Sequence, residues 1–188
     1  QPEIRAGAVI LSYSIPYTQR GEFAQTYKCA LREVNAHSIV NAGLRLRLNR
    51  KNQVESATIV LGGIAPVAFH AKRAEETLLG RAWNAETLEV GLSALTADVE
   101  EAIRSSRKRL KEVPWEGFTD EYKRHLAQSF FYKFFVQLAK EAGTIPIPAD
   151  LASAGVRQER PVSRGTQHYS KFPDEYPVNL PFIKMEAF

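Results

Sequence analysis

The sequence predicts an α+β fold, in which an antiparallel sheet of three to four strands is followed by three helices packed on one face of the sheet. Up to residue 66, apolar residues tend to recur at every second position, which is typical of strands. Between residues 71 and 143 they recur at every third or fourth position, which is typical of helices. Strands first and helices afterwards indicate a layered α+β arrangement.

Four segments before any helix are predicted as strands: 8–16, 22–28, 38–49 and 53–66. The first is rich in β-branched and apolar residues and stops at Pro16, which has no N–H group to donate to a sheet. In the third, Leu44, Leu46 and Leu48 alternate with arginines, which predicts one buried face and one exposed face. The turn-like residues 49–52 indicate an antiparallel hairpin between the third and fourth strands.

Three helices are predicted to follow, over 71–83, 84–106 and 119–143. The second helix carries one apolar stripe, formed by Leu88, Leu92, Leu95, Val99 and Ile103. The third has Thr119 as its N-cap and Gly143 at the position of a left-handed C-terminal residue. Its wide apolar face is predicted to be buried against the sheet and partly against another domain. That face consists of Tyr122, Leu126, Phe130, Phe131, Phe134, Phe135 and Leu138.

The composition is that of a soluble globular protein with one core, since 44% of the 188 residues are hydrophobic and 24% are charged. No stretch approaches the roughly 18 consecutive apolar residues of a membrane span, so no membrane partner is predicted. The first residues lack the basic and apolar regions of a signal peptide, and the lone Cys29 has no partner for an internal disulfide. These features predict a reducing, intracellular setting.

Neither nucleic-acid binding, metal binding nor catalysis is predicted from the residues alone. Basic residues concentrate at 104–111, which we interpret as an exposed helix end followed by a loop, because no aromatic platform or known nucleic-acid module accompanies them. The four histidines are scattered, and no motif positions a nucleophile beside a base. Gly62 and Gly63 lack the lysine of a phosphate-binding loop and are predicted to allow a bulge or a tight exit from a strand.

The polar segment after Lys28 has no Asn-Gly or Asp-Gly pair and is therefore not a simple hairpin turn. A lysine at a strand end, followed by such a segment, can present a positive charge and backbone amides to an anionic or electron-rich ligand. The alternative is a solvated lysine and an ordinary connection, and composition alone favours that alternative.

Four segments, in order along the chain, resemble the C-terminal subdomain of the FAD domain in the xanthine dehydrogenase and aldehyde oxidase family. These molybdenum hydroxylases are related to the flavoprotein subunit of carbon monoxide dehydrogenase. The resemblance covers residues 8–143. The segments are LSYSIPYTQRGEFAQTYKCALREVNAHSIVNAGLRLRL, LGGIAP, LLGRAWN and HLAQSFFYKFF.

The resemblance implies that residues 1–143 are the C-terminal subdomain of an FAD-binding domain. Residues 144–188 hold six of the ten prolines and show no sustained period, so they are predicted to be an extended linker. In the family such a linker leads toward a molybdenum-binding domain. The chain is thus expected to be a fragment of a larger oxidoreductase, here called the parent enzyme, and to be inactive in isolation.

In the parent enzyme, the resemblance implies that electrons pass from iron–sulfur clusters through FAD to NAD or oxygen. FAD is the cofactor expected to contact this chain, whereas molybdopterin and the [2Fe-2S] clusters are expected elsewhere. The expected partners are the remainder of the FAD domain and the iron–sulfur and molybdenum domains, within a homodimeric parent. A cytoplasmic or peroxisomal location is implied.

By matched motif, the FAD-contacting lysine of the family falls on Lys28 within YKCALR, and an aliphatic flavin contact falls on Ile10. The loop after that lysine is implied to lie beside the flavin, with Arg32 retained. Family dehydrogenases commonly carry an aspartate pair in this loop, where this chain has Asn35 and Ala36. A carboxylate near the ring would raise the energy of the anionic reduced flavin, whereas a neutral Asn35 would not. Oxygen is therefore expected as acceptor rather than obligate NAD.

Two alternatives stay open. In one, the chain is a non-catalytic protein-interaction module, in which the four phenylalanines of the third helix bury a partner surface and the basic run binds anions. In the other, it is a degenerate homologue that keeps the fold without a redox role.

Overall fold

A computed structural model describes residues 7–32, 35–109 and 118–156 of the chain. They form a four-stranded antiparallel sheet in the order β1-β2-β3-β4, followed by three helices, which confirms the predicted α+β fold. The strands are β1 (Glu22–Ala30), β2 (Ser38–Leu48), β3 (Val54–Gly62) and β4 (Phe69–His70). The helices are α1 (Lys72–Leu78), α2 (Ala85–Arg109) and α3 (Asp120–Ala142), and a 3-10 turn spans Ala152–Gly155.

Three of the four predicted strands are confirmed as β1, β2 and β3, but the strand predicted over 8–16 is wrong. Residues 8–16 are exposed, and they belong to no strand of the described structure. The fourth strand is instead the two-residue β4, which pairs with Val60 and Leu61 of β3. A strand needs a neighbour as well as β-branched residues, and the described part of this chain provides no neighbour for 8–16.

The sheet has one covered face and one open face because its side chains alternate. On β2, Leu44, Leu46 and Leu48 are buried, while Arg45 is exposed and Arg47 is half-buried. The arginines lie on the open face, where both form ion pairs with carboxylates of neighbouring strands.

The aromatic side chains of α3 fill the space between that helix and the covered face. Phe130 stacks on Tyr27 of β1 with ring centroids 5.3 Å apart. Trp83, which is 1% exposed, packs on Phe135 at 4.8 Å and meets the edge of Phe131 at 6.4 Å. The indole Nε1 also donates a hydrogen bond of 3.2 Å to the backbone carbonyl of Phe135. This cluster joins β1, α3 and the segment that leads into α2.

The predicted ends of α3 are confirmed, and its predicted buried face is confirmed with one exception. The side chain of Thr119 accepts a hydrogen bond from the amide of Tyr122, and Gly143 adopts a left-handed φ of 64°. The four phenylalanines and Leu138 are buried, and Leu126 is half-buried. Tyr122 is 41% exposed, so the prediction that it belongs to the buried face was wrong. It lies in the first turn of α3, with its ring against Phe118.

The basic end of α2 is solvated and paired with acids. Arg104 forms an ion pair with Glu101, and Arg107 forms one with Asp120 at the start of α3. Residues 104–109 are the end of α2, which confirms that the basic run begins as a helix end. The loop predicted after it lies outside the described residues. None of the helices in the described ranges combines the length and apolar character needed to cross a bilayer.

The first part of the predicted linker packs against the domain. Ile145, Ile147 and Ala154 contact the core, and Gly155 is buried beside Val136 and Gln137 of α3. Residues 157–188 lie outside the described residues, so the domain boundary at 143 stays a prediction.

Gly63 should be required for the tight exit from β3. Its φ is +81°, and a Cβ there would lie 2.3 Å from the carbonyl oxygen of Ile39. We expect Gly63→Ala to lower the free energy of unfolding by about 2 kcal/mol or more in chemical denaturation. Gly43→Ala is the matched control, because a Cβ at that position has no heavy atom within 4 Å. Equal stability of the two variants would contradict this role of Gly63.

Candidate functional site

Lys28 lies on the open face of the sheet, near the end of β1 and opposite Asn41 of β2. Its side chain is exposed, and its Nζ donates a hydrogen bond of 2.8 Å to the backbone carbonyl of Ala36. This bond ties the loop between β1 and β2 back onto the strand. Lys28 is therefore joined to the loop that it was predicted to precede.

Arg32 closes the same loop on itself. Its Nε and Nη2 donate to the backbone carbonyl of Asn35 at 2.9 and 2.6 Å. Asn35 has a φ of 50°, a left-handed conformation that asparagine adopts at lower cost than most residues. The β1–β2 register shifts between Cys29 and Ala30, so the loop begins at an irregularity in the sheet. Glu33 and Val34 lie outside the described residues.

Sequence reasoning missed Asn41, which lies opposite Lys28, and two neighbours of Asn41, Ser38 and Gly62. Asn41 donates from Nδ2 to the hydroxyl oxygen of Ser38 at 2.8 Å. Its amide lies over the backbone of Gly62, where a Cβ would be 2.4 Å from Asn41 Oδ1. The period of two in β2 was a usable signal, since it places Asn41 on the same face as Arg45. No local sequence pattern predicts that Gly62 lies beside Asn41, because the two residues are brought together only by the β2–β3 register.

A shallow groove of about 370 Å³ runs along the open face next to this cluster. It lies two residues from Lys28 along β1 and two from Asn41 along β2. Most of the side chains along it are small, and Gly43 contributes none. The groove is lined by Ala24, Gln25, Thr26, Gly43, Leu44, Arg45, Thr58 and Val60.

Ile10, the other predicted flavin contact, is not among the residues that line this groove. It is 56% exposed and lies in the segment before β1. The described structure thus brings Lys28, Arg32 and Asn35 together in one loop region, and it does not bring Ile10 to them.

Two tyrosines next to β1, Tyr27 of that strand and Tyr122 of α3, have altered acidity. Burial, with a further contribution from Glu141, raises the pKa of Tyr27 to about 12, so its phenol stays neutral at physiological pH. The Sγ of Cys29 is 3.9 Å from the hydroxyl of Tyr122, and this hydrogen bond raises the pKa of the Tyr122 phenol. Cys29 is half-buried and lies one residue before the end of β1.

The histidines of the described ranges form no metal site. His70 is exposed, and its Nδ1 lies 2.9 Å from a carboxylate oxygen of Glu75. Within those ranges, no three side chains among histidine, cysteine, aspartate and glutamate approach one another as metal ligands would.

Comparison with known families identifies the family of the chain. The sequence model of the CO dehydrogenase flavoprotein C-terminal domain family matches residues 25–138, which is more than half of the chain. The chain belongs to this family. The match includes Lys28, Arg32 and Asn35, and it confirms the resemblance inferred from the sequence.

Curated relatives are much longer proteins. The chain is 30% identical over 193 aligned residues to xanthine dehydrogenase 2 of Arabidopsis thaliana, covering 98% of this chain and 14% of that protein. It is 32% identical over 134 residues to aldehyde oxidase 3 of Rattus norvegicus, covering 71% of this chain and 9% of that protein. The chain therefore spans about a seventh or less of these relatives.

Solved structures include a carbon monoxide dehydrogenase from Hydrogenophaga pseudoflava with 21% sequence identity and a TM-score of 0.47. That alignment covers 62% of this chain and 36% of the other.

Proposed function

We propose that this chain forms one wall of the FAD site in a molybdenum hydroxylase of the xanthine dehydrogenase and aldehyde oxidase kind. In that parent enzyme, electrons from [2Fe-2S] clusters would reach FAD and leave to oxygen or NAD. The observation that carries the proposal is the family match over 25–138, which includes the lysine at the rim of the open sheet face.

The donor set around Lys28 suits the edge of an isoalloxazine ring. The ring presents carbonyl oxygens and ring nitrogens as acceptors, and the exposed ammonium of Lys28 and the amide of Asn41 supply donors. The groove beside them, lined mostly by small side chains, leaves room for a ring. Gly62 and Gly63 are used for close packing against β2, so the phosphates of the dinucleotide are expected to be held by other polypeptide.

Lys28 can serve the loop and a ligand at once. An ammonium group has three N–H donors, and the bond to Ala36 uses one of them. The remaining donors are available to a ring oxygen without release of the loop. A flavin bound there would accept electrons and pass them on, and the residues of this chain would orient it and set its local field.

The charge of the loop bears on the electron acceptor. Asn35 is neutral, so its side chain would not oppose the negative charge that accumulates on a neighbouring group during reduction. A carboxylate at the same position would oppose it and favour a stronger reductant. We therefore propose oxygen as the main acceptor rather than obligate NAD.

The alternative of a protein-interaction module loses the aromatic surface on which it relied. The four phenylalanines of α3 were to bury a partner surface, but they are between 1% and 8% exposed in the core of this chain. Arg104 and Arg107 of the basic run are already paired with carboxylates. A degenerate homologue without a redox role would differ from our proposal in one measurable respect, since its parent protein would purify without flavin absorption.

Loss of the Lys28 ammonium should weaken flavin binding. We expect Lys28→Ala in the parent enzyme to lower flavin affinity by about tenfold or more, because a charge-assisted hydrogen bond is lost. The measurement is flavin content per polypeptide after dialysis, by absorbance. Lys51→Ala is the matched control, since Lys51 is an exposed lysine in the β2–β3 turn. Unchanged flavin content in Lys28→Ala would refute the assigned role.

The acceptor can be tested by comparing substrate-dependent oxygen consumption with NAD reduction. We expect oxygen consumption to dominate, and Asn35→Asp to raise the share of NAD reduction. Aspartate also tolerates the left-handed conformation, so this substitution changes the charge and keeps the backbone. Asn52→Asp is the control, because Asn52 is likewise left-handed, with a φ of 57°, in another turn. Brisk NAD reduction by the unaltered enzyme would contradict the proposal.

A further inference from the structure

One end of the sheet holds a cleft that is rich in arginine. The cleft has a volume of about 910 Å³ and lies where β1 begins and β2 ends, and most of its lining residues are polar or charged. Three arginines line it, Arg20, Arg47 and Arg50, together with the carboxylates of Glu55 and Glu141. Cations therefore outnumber anions in this cavity, which is here called the arginine cleft.

Arg20 and Arg50 differ from the other described arginines because they have no polar partner. Every other arginine whose side chain the structure describes bonds to a carboxylate or a backbone carbonyl. In the described part of the chain, neither Arg20 nor Arg50 has such a bond. The two arginines that lack a partner thus lie in one cavity rather than at separate places on the surface.

The carboxylates of the arginine cleft are already engaged. Glu55 forms an ion pair of 3.0 Å with the Nε of Arg47, and Glu141 accepts a hydrogen bond of 2.8 Å from the side-chain amide of Gln137. Both carboxylates thus have partners of their own, and neither pairs with the two remaining arginines. A guanidinium has five N–H donors, so Arg47 also keeps donors for a ligand.

Hydrogen bonds hold the backbone at Arg20 in place. The amide of Glu22 donates to the carbonyl of Gln19 at 3.0 Å, which closes a turn with Arg20 at its second position. The carbonyl of Gly21 accepts from the amide of Leu48 at 2.9 Å, so this turn is joined to the end of β2. The turn therefore carries the Arg20 side chain at a defined place at the end of the sheet.

The turn between β2 and β3 carries Arg50 in the same way. The amide of Asn52 donates to the carbonyl of Asn49 at 3.0 Å, which puts Arg50 at the second position. The side-chain oxygen of Asn49 also accepts from the amides of Lys51 and Gln53, at 2.8 and 3.0 Å. Two ordered turns thus present one guanidinium each, which lowers the entropy cost of binding a ligand between them.

The two arginines match a phosphate group better than a carboxylate. Guanidinium groups bind both kinds of anion through paired N–H donors. A phosphate monoester carries about −1.5 to −2 charges at pH 7 and three terminal oxygens, so two arginines can share it. A carboxylate has a single charge and two oxygens, which one guanidinium already satisfies. A cavity of about 910 Å³ is also of the size that holds small molecules.

We propose that the arginine cleft is a binding site for a phosphate-bearing ligand, with Arg20 and Arg50 as its main contacts and Arg47 beside them. The cleft is separate from the candidate flavin site. Glu22, which pairs with Arg47, and Lys28 lie roughly 20 Å apart along β1 at the usual rise per residue. The inference therefore does not rest on the FAD role of this chain.

Chemical modification of arginine by phenylglyoxal, mapped by mass spectrometry in the parent enzyme, tests the proposal. At nearly saturating pyrophosphate, Arg20 and Arg50 should react about tenfold more slowly, because the bound anion occupies their guanidinium groups. Arg104 is the internal control, since it is exposed and paired outside the cleft, and its rate should stay within about twofold. Inorganic phosphate and ADP, added separately, distinguish a free phosphate ligand from a phosphorylated organic one.

A second measurement tests whether the two arginines share one ligand. In Arg20→Gln, the pyrophosphate concentration that half-protects Arg50 should rise about tenfold or more, because a charge-assisted hydrogen bond is lost. Lys51→Gln is the matched control, since Lys51 belongs to the same turn as Arg50 but does not line the cleft. That variant should change the concentration by less than about threefold.

Three results would overturn the proposal. Equal modification rates with and without pyrophosphate would show that no phosphate binds in the cleft. Slow modification of Arg20 and Arg50 in enzyme freed of phosphate by dialysis would show that other polypeptide, or the phosphates of the flavin itself, already cover them. Equal protection by citrate at matched ionic strength would make the cleft a general anion site.

The proposed function fails separately from this inference. Protection of Arg20 and Arg50 by pyrophosphate in a parent protein without flavin would refute the FAD role and leave the phosphate site in place. Bound flavin together with no protection would refute the phosphate site and leave the FAD role in place.

Discussion

The burial of the aromatic face of α3 is the constraint on which the rest of the structure depends. Four phenylalanines and Trp83 would be costly to leave in water, at roughly 1.5–3 kcal/mol for each side chain. They are accommodated against one face of the sheet, where Phe130 stacks on Tyr27. In the described part of the chain the helices pack on that side. The side chains on the opposite face of the sheet are therefore not part of the core.

The candidate site follows from that division of the sheet. Lys28 and Asn41 lie on the open face because Tyr27 and Ala42 face the core. The irregular end of β1 then turns the chain into a loop that Lys28 and Arg32 hold by hydrogen bonds to backbone carbonyls. The same core thus supports a cation, a closed loop and a groove, which are parts that one wall of a cofactor site requires.

Sequence periodicity predicted the helices and strands that have a clear local pattern. It did not predict features that depend on which strands pair and in which register. The spacing of apolar residues located β2, β3 and all three helices, and capping chemistry located both ends of α3. Segment 8–16 has the residues of a strand but was wrongly assigned to this sheet, because propensity does not say which edge a strand joins. The closeness of Gly62 to Asn41 was invisible, since strand register arises from the whole sheet. Family resemblance, rather than periodicity, suggested Lys28, Arg32 and Asn35.

The most direct measurement is an experimental structure of the flavin-loaded parent enzyme. The account predicts that Lys28 Nζ lies roughly 3 Å from an oxygen or nitrogen of the isoalloxazine while still bonded to the Ala36 carbonyl. A ring bound on the α3 side of the sheet, or an ammonium directed away from the ring, would contradict it.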